Sequence, residues 1–359
     1  MTDKNKDAFL ALVRAGLWEK EAQLLSFKNI DFKAICRLAE EQSVVGLVAA
    51  GVEHVTDVKV PKDDVLTLVG SALQIEQRNL AMNNFIGVIV ERMREADIYT
   101  LLVKGQGIAQ CYERPLWRVS GDVDFLLSES NYEKAKVLLL PLSSSNKNEE
   151  QYSIHLGMSI DPWYVEIHGT MRTGLSSRVD KVIDKTQNNM FLEGAFRSWR
   201  NGDTQINLPS PDNDVLIVFT HFIKHFYKEG MTLRQICDWC RLLWTFRGSI
   251  DICLLKQRLI EGGLMPEWQS FAALAVNYLG MPVEAMPLYD SNEKWSRKGV
   301  RIMEFILDRV TTGKMKTTVK IFRIFPWHTI HFLPSIILYI NGLKIRERLF
   351  KNNKPQNDN

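Results

Sequence analysis

The sequence shows no pattern typical of three special classes: a secretory signal peptide, a disulfide framework or a membrane-spanning segment. The first eight residues are polar, and no apolar stretch follows a basic start, so a secretory signal peptide is not expected. The five cysteines are odd in number and scattered, which argues against a set of paired disulfides. We therefore expect a protein of the reducing cytoplasm.

Long apolar runs and an excess of one charge are also missing. The uninterrupted run Ser335–Ile340 is far shorter than the ~20 residues that a membrane-spanning helix needs. Lys and Arg number 45 against 42 Asp and Glu, so composition alone indicates no nucleic-acid partner. The 359 residues, 45% of them hydrophobic, suffice for two globular domains or for one core with helical additions.

The stretch from Tyr99 to Leu127 carries the most informative pattern. A short apolar run, Tyr99–Val103, ends in Lys104-Gly105-Gln106-Gly107. A second run, Val123–Leu127, follows Asp122 and contains Asp124. Runs of this length bounded by glycine and proline predict two buried strands.

The two aspartates predict a metal site. Alternation along a strand places Asp122 and Asp124 on one face, roughly 7 Å apart, while Val123 and Phe125 face a core. Two carboxylates that approach to about 4 Å repel each other by on the order of 4 kcal/mol at an effective dielectric near 20. A divalent cation removes this repulsion, and ligation by oxygen alone favours Mg²⁺ or Mn²⁺ over Zn²⁺.

The turn after the first strand predicts a phosphate site. Glycine allows backbone N–H groups to approach a phosphate closely, and Gly105 and Gly107 flank Gln106. Lys104 would add a positive point charge there. The alternative for Lys104 is an ordinary surface lysine.

Taken together, these residues resemble the nucleotidyltransferase superfamily that includes DNA polymerase β, and more narrowly the uncharacterised bacterial nucleotidyltransferase family. That family has a Leu-Lys-Gly strand end, then an Arg, then Asp-x-Asp followed by aliphatic residues. The matching residues are Lys104, Gly105, Arg118, Asp122 and Asp124. The resemblance implies an α/β (α+β) fold, with a mixed sheet core of the nucleotidyltransferase type and helical regions on its N-terminal and C-terminal sides.

The resemblance also implies a reaction. A nucleoside monophosphate would pass from an NTP to an acceptor hydroxyl or phosphate, with Mg²⁺ or Mn²⁺ as cofactor and pyrophosphate as product. The implied nucleotide-binding residues are Lys104, Gly105, Gln106, Arg118 and Ser120. Arg118 could instead pair with Asp122 as structural support. The acceptor, whether a small molecule, a glycan, a protein or tRNA, is not fixed by the sequence.

A third carboxylate is expected on a strand beside the aspartate pair, because members of the superfamily carry one. Strands are predicted at Tyr152–Ile160 and Trp163–Gly169, joined by a turn at Asp161-Pro162. Glu166 and His168 share a face of the second strand, and the family has an acidic residue, an aliphatic and a His there. Glu166 is therefore the candidate third ligand, with Asp161 as the alternative. His168 is either functional or a packed core histidine.

The remainder of the chain is predicted to be largely helical. Apolar spacing predicts helices before the first strand, one of them capped by Asp31 and another reaching about Glu95. We divide the chain into an N-terminal helical segment (1–85), a nucleotidyltransferase core (86–204), a C-terminal helical domain (205–320) and an apolar-basic tail (321–359).

Four polar residues of the C-terminal helices also match the family. His221 and His225 are one helical turn apart, as are Arg234 and Asp238. The resemblance implies contacts with the acceptor or the nucleotide. For the histidines, packing or a place at the cleft rim is preferred to Zn²⁺, because no further ligand completes a zinc set. For Arg234 and Asp238, the alternative is a helix ion pair.

The tail and the overall function each leave alternatives open. The apolar segment 321–343, followed by five basic residues, predicts either a solvated helix face or peripheral contact with a membrane. Two other functions compete with the general reaction. One is a toxin-like nucleotidyltransferase that acts on tRNA, and the other is a non-catalytic interaction or membrane-surface module that keeps the fold.

Overall fold

The structure is a computed structural model that describes residues 4–146, 149, 154–308 and 314–352. Four helices precede the first strand: α1 (Lys4–Trp18), α2 (Phe32–Glu41), α3 (Val45–Glu53) and α4 (Lys62–Glu95). The predicted cap of α2 is confirmed, because the Asp31 side chain accepts a hydrogen bond from the Ala34 N–H. The predicted boundary between residues 85 and 86 lies inside α4, which is continuous there.

A five-stranded mixed sheet forms the core, in the order β1-β2-β5-β4-β3. Its strands are β1 (Thr100–Val103), β2 (Asp122–Leu127), β3 (Ser145–Asn146), β4 (His155–Ile160) and β5 (Trp163–His168). Only β2 and β5 run parallel; the other neighbouring pairs are antiparallel. The short α5 (Gly105–Ala109) follows β1, and α6 (Glu129–Leu139) follows β2.

Helices cover both faces of this sheet. Val123, Phe125 and Val165 pack on one face with residues of α4 and α6. On the other face, Leu126 of β2 packs near α7 (Ser177–Leu192) and α8 (Pro211–Lys224). Because side chains alternate along β2, Asp122 and Asp124 lie on the face of Leu126, toward the start of the strand.

A hairpin beside the sheet was not predicted. It consists of β6 (Phe196–Asn201) and β7 (Thr204–Pro209), paired antiparallel. Side chains of β7 pack in the core that covers the first face of the sheet, where Ile206 and Leu208 are buried. The hairpin therefore extends the sheet's hydrophobic core.

The remaining helices form one body with the N-terminal ones. They are α9 (Leu233–Thr245), α10 (Ile252–Gly262), α11 (Met265–Leu279), α12 (Glu293–Leu307), α13 (Lys314–Ile324) and α14 (Pro326–Asn352). A single hydrophobic core joins Phe9 and Leu12 of α1 with Trp239 of α9 and Trp268 of α11. The two predicted helical regions thus pack against each other, and the sheet lies beside them.

The tail continues as helix through most of its length. In the described ranges, no helix combines the length and the apolar character needed to cross a membrane. The basic side chains from Lys344 onward lie outside the side chains that the structure describes, as do residues 353–359 entirely. Membrane contact by the tail therefore stays a prediction.

Candidate active site

A cleft of about 500 Å³ lies between the sheet and helices α8 and α9. It is lined on the sheet side by Lys104, Asp122, Asp124 and Glu166, and on the helical side by His221, Lys224, His225, Lys228 and Arg234. A groove of about 680 Å³ between α4 and the β6–β7 turn is larger. Neither cluster of potential metal ligands found in the described residues lies in that groove, so the smaller cleft is the candidate site.

Three carboxylates meet on the sheet wall of the cleft. Asp122 and Asp124 point from β2, and Glu166 lies opposite Asp124 in the register of β2 and β5. One ligand oxygen from each lies within 4.8 Å of the other two. Asp161, the alternative third ligand, lies in the exposed turn between β4 and β5. The geometry expected for Glu166 is therefore present, and its role as third ligand stays a prediction.

Lys104 holds the only ammonium group in direct contact with these carboxylates in the described part of the chain. Its Nζ lies 2.7 Å from Asp124 Oδ1. Its backbone has φ +59° and ψ −146°, a conformation that residues other than glycine rarely adopt. Strained backbone of this kind occurs often at functional sites, and here it aims a lysine at the carboxylates.

The pKa values of the two aspartates and of Lys104 depend on one another's charges. The neighbouring charge of Asp124, followed by burial, raises the pKa of Asp122. Burial also acts to raise the pKa of Asp124, but Lys104 and His168 outweigh burial and keep that pKa far below its usual value. Burial lowers the pKa of Lys104, yet the three carboxylates raise it by more. Asp124 is thus compensated by a cation already, and Asp122 is not.

The residues present fit a divalent cation. The three carboxylates offer the oxygen ligands that Mg²⁺ and Mn²⁺ use. The charge of Asp124 and burial raise the pKa of Asp122, and a cation bound between the two carboxylates would offset both effects. The ammonium of Lys104, 2.7 Å from Asp124 Oδ1, shows that this group of carboxylates already binds one positive charge.

Two histidines border the carboxylates. His168 Nε2 lies 2.8 Å from Asp124 Oδ1, and His155 Nε2 lies 3.1 Å from Glu166 Oε2. The two rings stack with centroids 4.7 Å apart. Burial is the main cause that lowers the pKa of His168, which keeps its ring neutral near pH 7. Sequence reasoning missed His155, although counting back from the β4–β5 turn places it opposite His168.

Two of the predicted nucleotide-binding side chains point into the protein. Gln106 is 1% exposed, and its Nε2 donates to Asn79 Oδ1 at 2.7 Å and to Ser120 Oγ at 3.2 Å. Ser120 also accepts from Arg118 Nη1 at 2.8 Å. Gly105 differs, because it lines the cleft with φ +38°. The side chains of Gln106 and Ser120 support the segment before β2.

Arg118 pairs with Asp238 and not with Asp122. Its Nε and Nη2 donate to the two Asp238 oxygens at 2.8 and 2.7 Å, and the Tyr112 hydroxyl donates to the same carboxylate at 2.7 Å. Burial lowers the pKa of Arg118, but Asp238 raises it by more, so the guanidinium stays charged. A helix ion pair of Arg234 with Asp238, the alternative considered for these two residues, is replaced by this bidentate pair.

Arg234 lines the cleft, and one of its hydrogen-bond donors is unsatisfied in the described part of the chain. Its Nη1 donates to the Val119 carbonyl at 2.7 Å. Its Nε is buried and has no hydrogen-bond partner in the ranges that the structure covers. Burial is the main cause that lowers the pKa of Arg234. A buried donor of this kind favours an anionic ligand.

The predicted histidine pair lies at the end of α8. A π-helical turn, His225–Glu229, continues α8 and ends at Gly230 with φ +82°. His221 Nε2 and His225 Nε2 are 3.0 Å apart, and His225 Nδ1 lies 2.7 Å from Glu229 Oε2. Burial lowers the pKa of His221 strongly. Such turns are frequent at functional sites, and this one begins at His225, one helical turn after His221. Both histidines line the cleft.

Comparison with known proteins identifies a family and one distant structure. A family model described as uncharacterised nucleotidyltransferase matches residues 28–280. Among solved structures, the chain is similar to an antigenic nucleotidyltransferase-like protein from Paracoccidioides brasiliensis, with 11% identity and a TM-score of 0.33 over 56% of this chain and 93% of that chain. No match was found among curated proteins. The range that the family model matches includes every residue that lines the cleft.

Proposed function

The chain belongs to the uncharacterised nucleotidyltransferase family, and from this we propose that it is a metal-dependent enzyme that moves a nucleoside monophosphate from an NTP to an acceptor hydroxyl or phosphate. Pyrophosphate would be the second product. The observation that carries the proposal is the convergence of Asp122, Asp124 and Glu166 on one wall of the cleft. The fold alone would not support it, because one fold serves many functions.

Asp122, Asp124 and Glu166 are the residues that would hold the metal. When bound there, Mg²⁺ or Mn²⁺ supplies charge neutralisation for the phosphates and acidity for the acceptor hydroxyl. Lys104 keeps Asp124 ionised through their 2.7 Å contact, so that carboxylate is available as a ligand at neutral pH.

The opposite wall of the cleft suits the triphosphate. It carries Lys224, Lys228 and Arg234, and the buried Nε of Arg234 lacks a hydrogen-bond partner in the described ranges. A phosphate oxygen would satisfy this donor with a charge-assisted hydrogen bond. Phosphates bound between the two walls would meet a cation on one side and guanidinium and ammonium groups on the other. Gly105 permits close approach of its backbone at the near end.

Glu166 is the proposed proton acceptor for the acceptor hydroxyl. Burial acts to raise its pKa, but nearby His155, His168 and Lys104 lower it by more, so Glu166 is ionised at neutral pH. An ionised carboxylate beside the metal ligands can accept a proton from a hydroxyl held within hydrogen-bond reach.

Three of the predicted nucleotide-binding residues are instead proposed to position the segment before β2, without contacting the nucleotide. They are Gln106, Arg118 and Ser120. Their side chains bind one another, Asn79 and Asp238, and they surround the segment that leads into β2. A rigid segment there fixes where Asp122 points. Asp238 has the same role from α9, since it holds Arg118.

Glu166→Gln tests the proposal, with Asp161→Asn as the matched control. The amide cannot accept the proton, so we expect pyrophosphate release from the NTP, measured with Mg²⁺ and a panel of acceptors, to fall by about 10²-fold or more. Asp161→Asn should keep the wild-type rate, because Asp161 lies in an exposed turn. Equal rates for wild type and Glu166→Gln would contradict the assignment of Glu166.

A further inference from the structure

The chain contains a second cluster of potential metal ligands, next to the three carboxylates. His155 on β4 and Glu166 and His168 on β5 each offer a ligand atom within 4.8 Å of the others. Glu166 Oε2 lies 3.1 Å from His155 Nε2 and 3.7 Å from His168 Nε2. The hairpin register creates this cluster, because it pairs His155 with His168.

The spacing of the cluster is that of ligands around one ion. Ligands about 2.0–2.1 Å from a tetrahedral ion lie roughly 3.3–3.4 Å from one another. The two distances to Glu166 Oε2, 3.1 and 3.7 Å, lie on either side of this spacing. The imidazole planes are inclined by only 15°, and the Nε2 atoms of both stacked rings approach the same Glu166 oxygen.

His155 contributes an independent observation. Its Nε2 is buried, and no hydrogen-bond partner for it exists among the residues that the structure describes. The 3.1 Å contact with Glu166 is close enough for an ion pair but is not aligned as a hydrogen bond. This buried ring nitrogen thus faces the Glu166 carboxylate without an aligned hydrogen bond, an arrangement that suits an ion held between the two groups.

We propose that His155, Glu166 and His168 form a second cation site that takes a transition-metal dication such as Mn²⁺ or Zn²⁺. Imidazole nitrogen is a common ligand for these ions, whereas Mg²⁺ is bound by oxygen. Glu166 would be shared with the carboxylate site, and two unlike ions would lie side by side. The use of the second ion in nucleotidyl transfer rests on the proposed function, but its binding does not.

Occupation of the site changes the contacts of His168. Its Nε2 now donates a hydrogen bond to Asp124 Oδ1 at 2.8 Å. To bind the ion, the neutral ring would turn from that oxygen and carry its proton on Nδ1. Asp124 would keep its contact with Lys104, so its charge stays compensated. The ion would therefore couple the two clusters through Glu166, the residue that they share.

Calorimetric titration of the full chain, stripped with EDTA, tests the proposal with Zn²⁺ and Mg²⁺ as separate probes. We expect His155→Gln to weaken Zn²⁺ binding by at least about tenfold and to affect Mg²⁺ binding much less, because Mg²⁺ is bound by oxygen ligands. His331→Gln is the control, since His331 is exposed on α14 and outside both clusters. Equal Zn²⁺ affinity in wild type and His155→Gln would overturn the site.

A second measurement needs no variant. Pulsed EPR of the wild-type protein loaded with Mn²⁺ should show coupling to imidazole nitrogen, and its absence would overturn the proposal. Asp122→Asn separates this inference from the proposed function, because Asp122 is outside the histidine cluster. If Asp122→Asn and the wild type both fail to bind NTP while Zn²⁺ still binds, the nucleotide proposal fails and the histidine site stands.

Discussion

Arg118 and Asp238 join the segment before β2 to α9 through a buried bidentate ion pair. Truncation of one partner leaves the other charge buried without compensation. We expect Asp238→Ala to lower the free energy of unfolding by about 3–5 kcal/mol, measured by denaturant titration. The double variant Arg118→Met/Asp238→Ala should lose less, because it removes both charges. A loss below about 1 kcal/mol for Asp238→Ala would contradict the structural role assigned to the pair.

The buried His221 should make the stability of the protein depend on pH. Burial holds its pKa well below 6.5, so the folded protein keeps the ring neutral while the unfolded chain takes up a proton below that pH. The unfolded state then binds more protons, and stability falls as the pH drops below 6.5, by at most about 1.4 kcal/mol per pH unit for one group.

His221→Gln should therefore flatten the pH dependence of stability in the metal-free protein. Denaturant titrations between about pH 7 and pH 5 measure this, a window that brackets the usual pKa of histidine. The same slope in His221→Gln and wild type would show that His221 is not held neutral.

At the scale of elements, α1 and α3 approach so closely that glycine is required between them. A Cβ on Gly16 would lie 1.9 Å from the Leu47 carbonyl oxygen, and one on Gly51 would lie 2.1 Å from the Leu12 carbonyl oxygen. Both obstacles are backbone atoms of the partner helix, which cannot turn aside. The packing of the N-terminal helices therefore depends on these two positions.

Gly51→Ala should destabilise the protein by about 1–3 kcal/mol or more, because the helices must separate. Gly70→Ala is the control, since nothing lies within 4 Å of the added methyl group in α4. Alanine is the better helix former, so Gly70→Ala should add about 0.5–1 kcal/mol. Thermal and denaturant unfolding would measure both variants. Equal effects of the two substitutions would contradict the close approach of α1 and α3.

Local patterns in the sequence predict the strands and the carboxylates, but not every element. Asp122, Asp124 and Glu166 can be placed because alternation and the turn at Asp161-Pro162 act over a few residues. The β6–β7 hairpin was not predicted, although Gly202-Asp203, the two residues of its turn, are a hairpin signal. Phe196–Asn201 is only partly buried, so its apolar alternation is weak.

The partners of Arg118 and Gln106 depend on tertiary packing, which local patterns do not contain. Arg118 and Asp238 are 120 positions apart, and nothing near either residue specifies the other. Gln106 was expected to face a phosphate, yet its side chain is held by Asn79 from α4. The sequence therefore predicts which residue types gather near the site more reliably than which way each side chain points.

At the scale of the whole molecule, two bodies form the cleft. The sheet supplies the carboxylate wall, and the helices that share a core with α1–α3 supply the basic wall. Carboxylates line one wall of this cleft and basic side chains line the other, while the net charge of the chain is only +3. Overall composition therefore conceals a local separation of charge, which suits a ligand that carries both phosphates and a bound cation.

Magnesium-dependent binding of NTP tests the metal site at the carboxylates. It is measured by the thermal shift of wild type, Asp122→Asn, Asp124→Asn and Asp161→Asn. A ligand at 100 times its Kd adds about 2.7 kcal/mol to the stability of the state that binds it. We expect this stabilisation in wild type and Asp161→Asn with the NTP that the protein prefers, and its loss in both other variants, which should remain folded. Unchanged magnesium-dependent shifts in Asp122→Asn and Asp124→Asn would contradict a metal site at the carboxylates.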